Sequence, residues 1–288
     1  MEHARIDSSV IGHDETLGRE AQNTQRPRDK KREALMRTFV AVTLGLLLLA
    51  AASAHAGDVV LPLPPEDQQK INQELGTGVV GEALPSKPIQ DVATYLPLQD
   101  RALTYHVTSG PNGGKTQTLG LAKVRRPNGK PAWRFMFSPT LAGFVRQTTE
   151  GDLMVPSVTD TSEGVVVITT PANPFVLKGM KPGQSRSYSQ QVAVLALDDP
   201  ADQKYSGTLN GTYTYVGTYK VTVPAGTFPA VLLRLKCSGK IGPAMTQDSA
   251  YYFFAPGKGV VAMISQEDAT AFWIIHIDTT SGKVLIAN

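Results

Sequence analysis

The chain reads as mainly β: a large curved antiparallel sheet or half-open barrel with one short N-terminal helix. Three observations predict this. From Tyr95 onward, runs that alternate apolar and polar residues follow one another with no helical periodicity between them. Turn signals rich in Gly, Pro and Asn separate those runs. The 288 residues include a single cysteine, Cys237, so the body must be held by a packed core and not by disulfides.

The elements follow in chain order. Residues 1–35 are polar, carry Arg26, Arg28, Lys30, Lys31 and Arg32, and show no apolar periodicity. They read as a disordered leader, outside the translated protein, with the start at Met36. Met36-Arg37, the apolar stretch Phe39 to Ala52 and the small residues of Ala54-His55-Ala56 have the order of a secretory signal peptide, 36–56, cleaved near Ala56. The apolar stretch is shorter than the roughly 20 residues a span needs, and Pro62, Pro64 and Pro65 stop a helix from continuing. A periplasmic or secreted protein is expected, with no membrane span after cleavage.

Residues 57–91 form an N-terminal segment. In "PPEDQQKINQELG" Pro65 opens a short helix, Glu66 and Asp67 favour its first turn, and Gly76 ends it. Ile71 and Leu75, spaced i, i+4, form the face that packs on the body. Residues 76–91 read as an irregular connection.

Residues 92–288 read as one antiparallel β domain. "LTYHV" sets Leu103, Tyr105 and Val107 against Thr104 and His106. "PAWRFMF" puts Trp133, Phe135 and Phe137 on one face. "GVVVITT", "YSQQVAVLAL", "GTYTYVGTYKVTV", "AVLLRLKC", "AYYFF", "GVVAMI" and "AFWIIHI" continue the series. "PNGG" at 111–114, "PNG" at 127–129, Asn210-Gly211 and Ser281-Gly282 mark tight turns. The charged loop "DDPADQK" at 198–204 lies within one continuous sheet.

"YVGTYKVTVPAGTFPAVLLRLK" (215–236) and "YYFFAPGKGVVAMIS" (251–265) resemble a signature of uncharacterised bacterial envelope proteins: a strand, a V-P-A-G-T-F corner, a long strand and a hairpin. "YLPLQDRALTYHV" (95–107) is similar to their opening, although Ala102 and Thr104 depart from its usual small and aromatic residues. Those proteins are similar in architecture to the curved sheets of periplasmic lipoprotein carriers of the LolA type. The resemblance implies a fold and a compartment and carries no catalytic residues. The motif has a structural reading too. Pro224 suits a strand end, Gly226 a positive φ at a corner under which Phe228 packs back, and Pro256-Gly257 a type II turn.

Several chemistries find no support. Net charge is only +3 and no dense basic patch occurs, so nucleic acid is not an expected partner. "GTGVVG" at 76–81 matches a dinucleotide fingerprint, but a helix precedes it and prolines follow, the reverse of what phosphate binding needs. His106 and His276, with Cys237, have no metal-ligand spacing. Cys237 is in phase with Val231, Leu233 and Leu235 and reads as a buried, inert thiol. Asp198, Asp199 and Asp202 read as a solvated turn rather than a calcium loop. No G-x-S-x-G elbow occurs. No cofactor, metal or catalytic residue is expected, and the protein reads as a non-enzyme.

The informative strand is "AFWIIHI". Phe272, Ile274 and His276 face one side and Trp273 the other, so both sides need cover. "GVVAMI" and "VAVLAL" make the same demand. One cover is the core; the other is the N-terminal helix, a partner or an apolar ligand. The expected ligand-binding residues are Trp133, Phe135, Phe272, Trp273, Ile274 and His276, holding a hydrophobic small molecule, a lipid or an acyl chain in a concave sheet. The alternative is an envelope protein that docks a protein partner, or a structural domain whose core is filled.

Overall fold

The computed structural model describes residues 58–125, 129, 131–271 and 275–287, with the backbone alone for 267–271 and 275–278. The leader and signal peptide expected over 1–56 lie outside these residues, as do Phe272, Trp273 and Ile274.

Period-two alternation produces strands along most of the described chain. β1 (Val59–Val60), α1 (Pro65–Leu75) and β2 (Val80–Ser86) come first. A 3₁₀ turn, Val92–Thr94, leads into β3 (Arg101–Val107), β4 (Thr116–Arg125), β5 (Pro131–Met136), β6 (Leu141–Gln147) and β7 (Leu153–Asp160). Longer strands follow: β8 (Val165–Val176), β9 (Ser185–Ala196), β10 (Gln203–Val223), β11 (Gly226–Ile241), β12 (Ala244–Ala255), β13 (Gly259–Ala271) and β14 (Ile275–Ala287).

From β3 to β14 each strand pairs antiparallel with the next, and β14 returns to β3, with Lys283 opposite Val107. The expected curved sheet is therefore a closed, up-and-down barrel of 12 strands. Closure satisfies the edges that an open sheet would leave exposed. β10 is 21 residues long and serves two neighbours. Its first half pairs with β9. Beyond the irregularity at Tyr215/Gly217 it pairs with β2 instead, which carries β1.

That second neighbour corrects the reading of 76–91 as irregular. Val80–Ser86 is a strand because the far half of β10 has open backbone groups for it to pair with. Pro85, which sits opposite Val60, hides the alternation. Two expected turns are also corrected. Asn210-Gly211 lies inside β10 and Ser281-Gly282 inside β14. Each glycine is required by a close approach, not by a turn. The Tyr188 ring occupies the place a Cβ on Gly211 would need, and the Glu74 carbonyl does the same at Gly282.

The two-sided run of β13 is covered on both faces, as are its neighbours in β11 and β12; "VAVLAL" of β9 is not, since Leu197 is exposed, and the side chains of Phe272 to Ile277 lie outside the described residues. Leu233, Phe254 and Met263 alternate with Leu232, Phe253, Ala262 and Ile264, and all are buried. One set faces the barrel interior. The other lies beneath the N-terminal segment, where α1 packs on β13 and β14. Ile71 and Leu75 are buried as expected, each worth about 1.5–3 kcal/mol of burial.

Polar bonds fix the helix at both ends. Asp67, with no exposed surface, accepts from Arg234 of β11 and from Tyr251 of β12, the latter at 3.1 Å. At the other end the Thr108 hydroxyl donates to the Glu74 carbonyl, and Ser109 donates to the Glu74 carboxylate at 2.6 Å. Gly76 closes the helix at φ 103°.

Candidate functional site

The interior is built from rings. Phe135 of β5, Phe137 just after it, Phe175 of β8, and Tyr252 and Phe254 of β12 form one cluster. Phe135 lies 5.0 Å from Phe137 and 5.2 Å from Phe175; Phe175 lies 5.4 Å from both Tyr252 and Phe254. These four pairs meet edge to face, each worth about 0.5–1.5 kcal/mol beyond burial. β5, β8 and β12 are not neighbours in the sheet, so the rings touch across the barrel and fill its middle.

Beside the cluster is an apolar cleft of about 180 Å³, lined chiefly by Phe137, Val155, Val158, Phe175, Tyr252 and Met263. It is somewhat larger than the roughly 150 Å³ apolar cavity that can hold a benzene ring. It falls short of the roughly 300–1,000 Å³ of ordinary ligand sites. Directly across from Met263, in β14, is Lys283, only 4% exposed. It is in phase with the buried Leu285 and opposite the buried Val107. No hydrogen bond or ion pair holds it among the described residues. Desolvation pulls its pKa down to about 8.

Of the expected ligand-binding residues, Phe135 belongs to the ring cluster and is buried, while Trp133 is half-buried and packs on the core. Trp133 pairs with Val145 and Phe135 with Gly143. His276 pairs with Thr270 in the backbone ladder; its side chain, like Phe272, Trp273 and Ile274, lies outside the described residues. The cleft residues Phe175 and Tyr252, and Lys283 one strand beyond the cleft wall, were not on the expected list. Phe175 sits in "PANPFV", which has no alternation to reveal it. Lys283 could have been found as a lone cation in the apolar run "KVLIA".

Cys237, in phase with Leu233 and Leu235, is half-buried and not buried as expected; it reaches the larger, outer concavity, with its Sγ 3.8 Å from Asp248 Oδ2. Burial first, and the Asp248 carboxylate second, push the thiol up to about 12. That is the opposite of what a nucleophile needs. His106 is half-buried on the more exposed face of β3, as its phase predicts.

The stretches that carry the family resemblance meet at one end of the barrel. The Arg101 guanidinium donates to the Lys258 carbonyl at 2.7 Å and to the Pro97 carbonyl at 3.3 Å. Tyr105 donates to the Val260 carbonyl at 2.7 Å, and the Gly257 amide to the Thr94 carbonyl at 2.7 Å. Gly226 has φ 132°, and Phe228 packs back against it. The signature is a structural clamp.

A second concavity, about 970 Å³, lies on the outer face of β9 to β13 beside the start of α1. Its lining is largely hydroxyl and amide side chains.

No family model matches the chain, and no curated protein matches it. Among solved structures, the chain is similar to the hypothetical lipoprotein YmcC of Escherichia coli K12, with 11% identity, 68% of this chain and 87% of that one covered, and a TM-score of 0.37. It is similar to a protein of Bacteroides fragilis described as exported and of YmcC-like fold: 12% identity, 70% and 98% coverage, TM-score 0.34. A Parabacteroides distasonis protein described as a lipoprotein gives 11%, 67%, 97% and 0.29. Likenesses of this size carry no functional information. Among the described residues no helix is long and apolar enough to cross a membrane.

Proposed function

We propose that this is an exported, non-enzymatic binding protein that takes the apolar end of a small amphipathic ligand into the cleft between Phe137, Phe175 and Tyr252. The observation that carries the reading is the cleft itself: an apolar space of about 180 Å³ in an interior otherwise filled by rings. Its size admits a ring or a short alkyl segment and not a whole lipid. Lys283 lies one strand from the cleft wall, where an amine with no partner among the described residues suits a carboxylate on the ligand. The signal read over 36–56 supports export. The filled ring cluster favours a second reading, a structural domain with no interior ligand.

Calorimetric titration with octanoate and palmitate tests this. Octanoate is expected to bind, and the longer chain to gain little more. Val158→Phe, which fills the cleft, should abolish binding while the melting transition is kept. If neither acid binds, or if Val158→Phe binds as well as the parent, the cleft reading fails and the structural reading stands.

A further inference from the structure

The outer concavity has a regular floor. Ser189 of β9, Asn210 of β10, Ser238 of β11 and Gln247 of β12 are direct cross-strand partners in one row. Two residues along, Thr212, Lys236, Ser249 and Gln266 form a parallel row that reaches β13. Neighbouring strands are about 4.8 Å apart, so each row of four strands spans about 14 Å. Glu66 and Lys70 of α1 add a wall. The helix stays in place because Asp67 is bonded to Arg234 and Tyr251 on the same face.

The chemistry of this floor is narrow. Ser, Thr, Asn and Gln each offer both donors and acceptors. Their side chains are shorter than those of lysine and arginine, which leaves the concavity open. Within the two rows the only charge is Lys236; Asp248 lies between them and Glu66 and Lys70 stand at the wall. Asn210, Ser238 and Gln247 are exposed and take no side-chain partner among the described residues.

An apolar ligand would leave these groups unsatisfied. A nucleic acid would need a cationic surface. A peptide strand would need a free sheet edge, and β10, β11 and β12 are paired on both sides along this stretch. A ligand with closely repeated hydroxyls meets every requirement. We propose that this face is a second binding site, independent of the interior cleft, for an oligosaccharide laid across the strands.

The test is calorimetric titration of the purified protein with cello-, malto- and chito-oligosaccharides and with oligogalacturonides of increasing length. At least one series should bind, with affinity rising until the row is spanned. Ser238→Trp, which plants a large ring in mid-floor, should abolish that binding. The double change Asn210→Ala and Gln247→Ala should weaken it tenfold or more. Both sets of substitutions are at exposed positions, so the melting temperature should stay unchanged. Val158→Phe in the interior should leave saccharide binding intact, which separates this site from the cleft. Absence of binding across all four series overturns the proposal, as does binding that survives Ser238→Trp.

Discussion

Replacing Lys283 by methionine should stabilise the protein at neutral pH. The amine is 4% exposed and without a partner among the described residues. Burial lowers its pKa from the ordinary 10.5 to about 8. At pH 7 the folded state therefore holds a charge that the interior disfavours, at a cost of about 3 kcal/mol. Methionine has a similar length and no charge. The cost depends on pH in a definite direction. Below about pH 8 both folded and unfolded states carry the proton and the penalty is complete. Between about 8 and 10.5 the unfolded chain binds more protons than the folded one, so stability of the parent rises with pH. The advantage of Lys283→Met should then shrink towards zero. Buried tyrosines such as Tyr105 and Tyr213, raised by desolvation, act in the opposite sense above pH 10, as does Cys237 from about pH 9. They are common to both proteins and cancel in the difference. Urea unfolding of the two at pH 7, 8, 9 and 10 measures it. A variant less stable at pH 7, or an advantage that does not change with pH, would refute the reasoning.

Asp67→Ala should cost about 3–5 kcal/mol, because it takes the buried carboxylate from Arg234 and Tyr251 and leaves Arg234 only Glu66 at 3.8 Å; urea unfolding gives the loss, and early proteolysis near α1 would accompany it. Gly211→Ala should destabilise by about 1–3 kcal/mol as its Cβ meets the Tyr188 ring. In a double-mutant cycle Tyr188→Leu should remove most of that cost, and an additive result would count against the packing account. With its thiol raised to about 12, Cys237 should be alkylated by iodoacetamide at pH 8 far more slowly in the folded protein than in urea, as read by mass spectrometry; equal rates would show that the thiol is accessible and activated.

Local patterns went a long way for the strands. The alternation of Leu103, Tyr105 and Val107, and the doubly apolar "GVVAMI", predicted both the sheet and the need for cover on two faces. Ile71 and Leu75 marked the helix face that supplies part of that cover. Where the prediction failed, the cause was a neighbour distant in sequence. β2 is a strand because β10 has an open half, and Gly211 and Gly282 are glycines because Tyr188 and the Glu74 carbonyl crowd them. The candidate sites were less legible. Phe135 and Trp133 were named from a same-face run, but Phe175 and Tyr252 join Phe135 only across the barrel. The two polar rows are one or two residues in each of five strands, and register alone lines them up.

The sequence by itself determined the class of fold and the N-terminal helix with its buried face, because each depends on periodicity or phase within one short stretch. Only the tertiary structure decided that the sheet closes, that its middle is filled by rings leaving a cleft of about 180 Å³, that Lys283 is buried with no partner among the described residues, and that two polar rows share one face. Those features arise when strands far apart in the chain are brought side by side or face to face, and no local pattern encodes which residues will then meet.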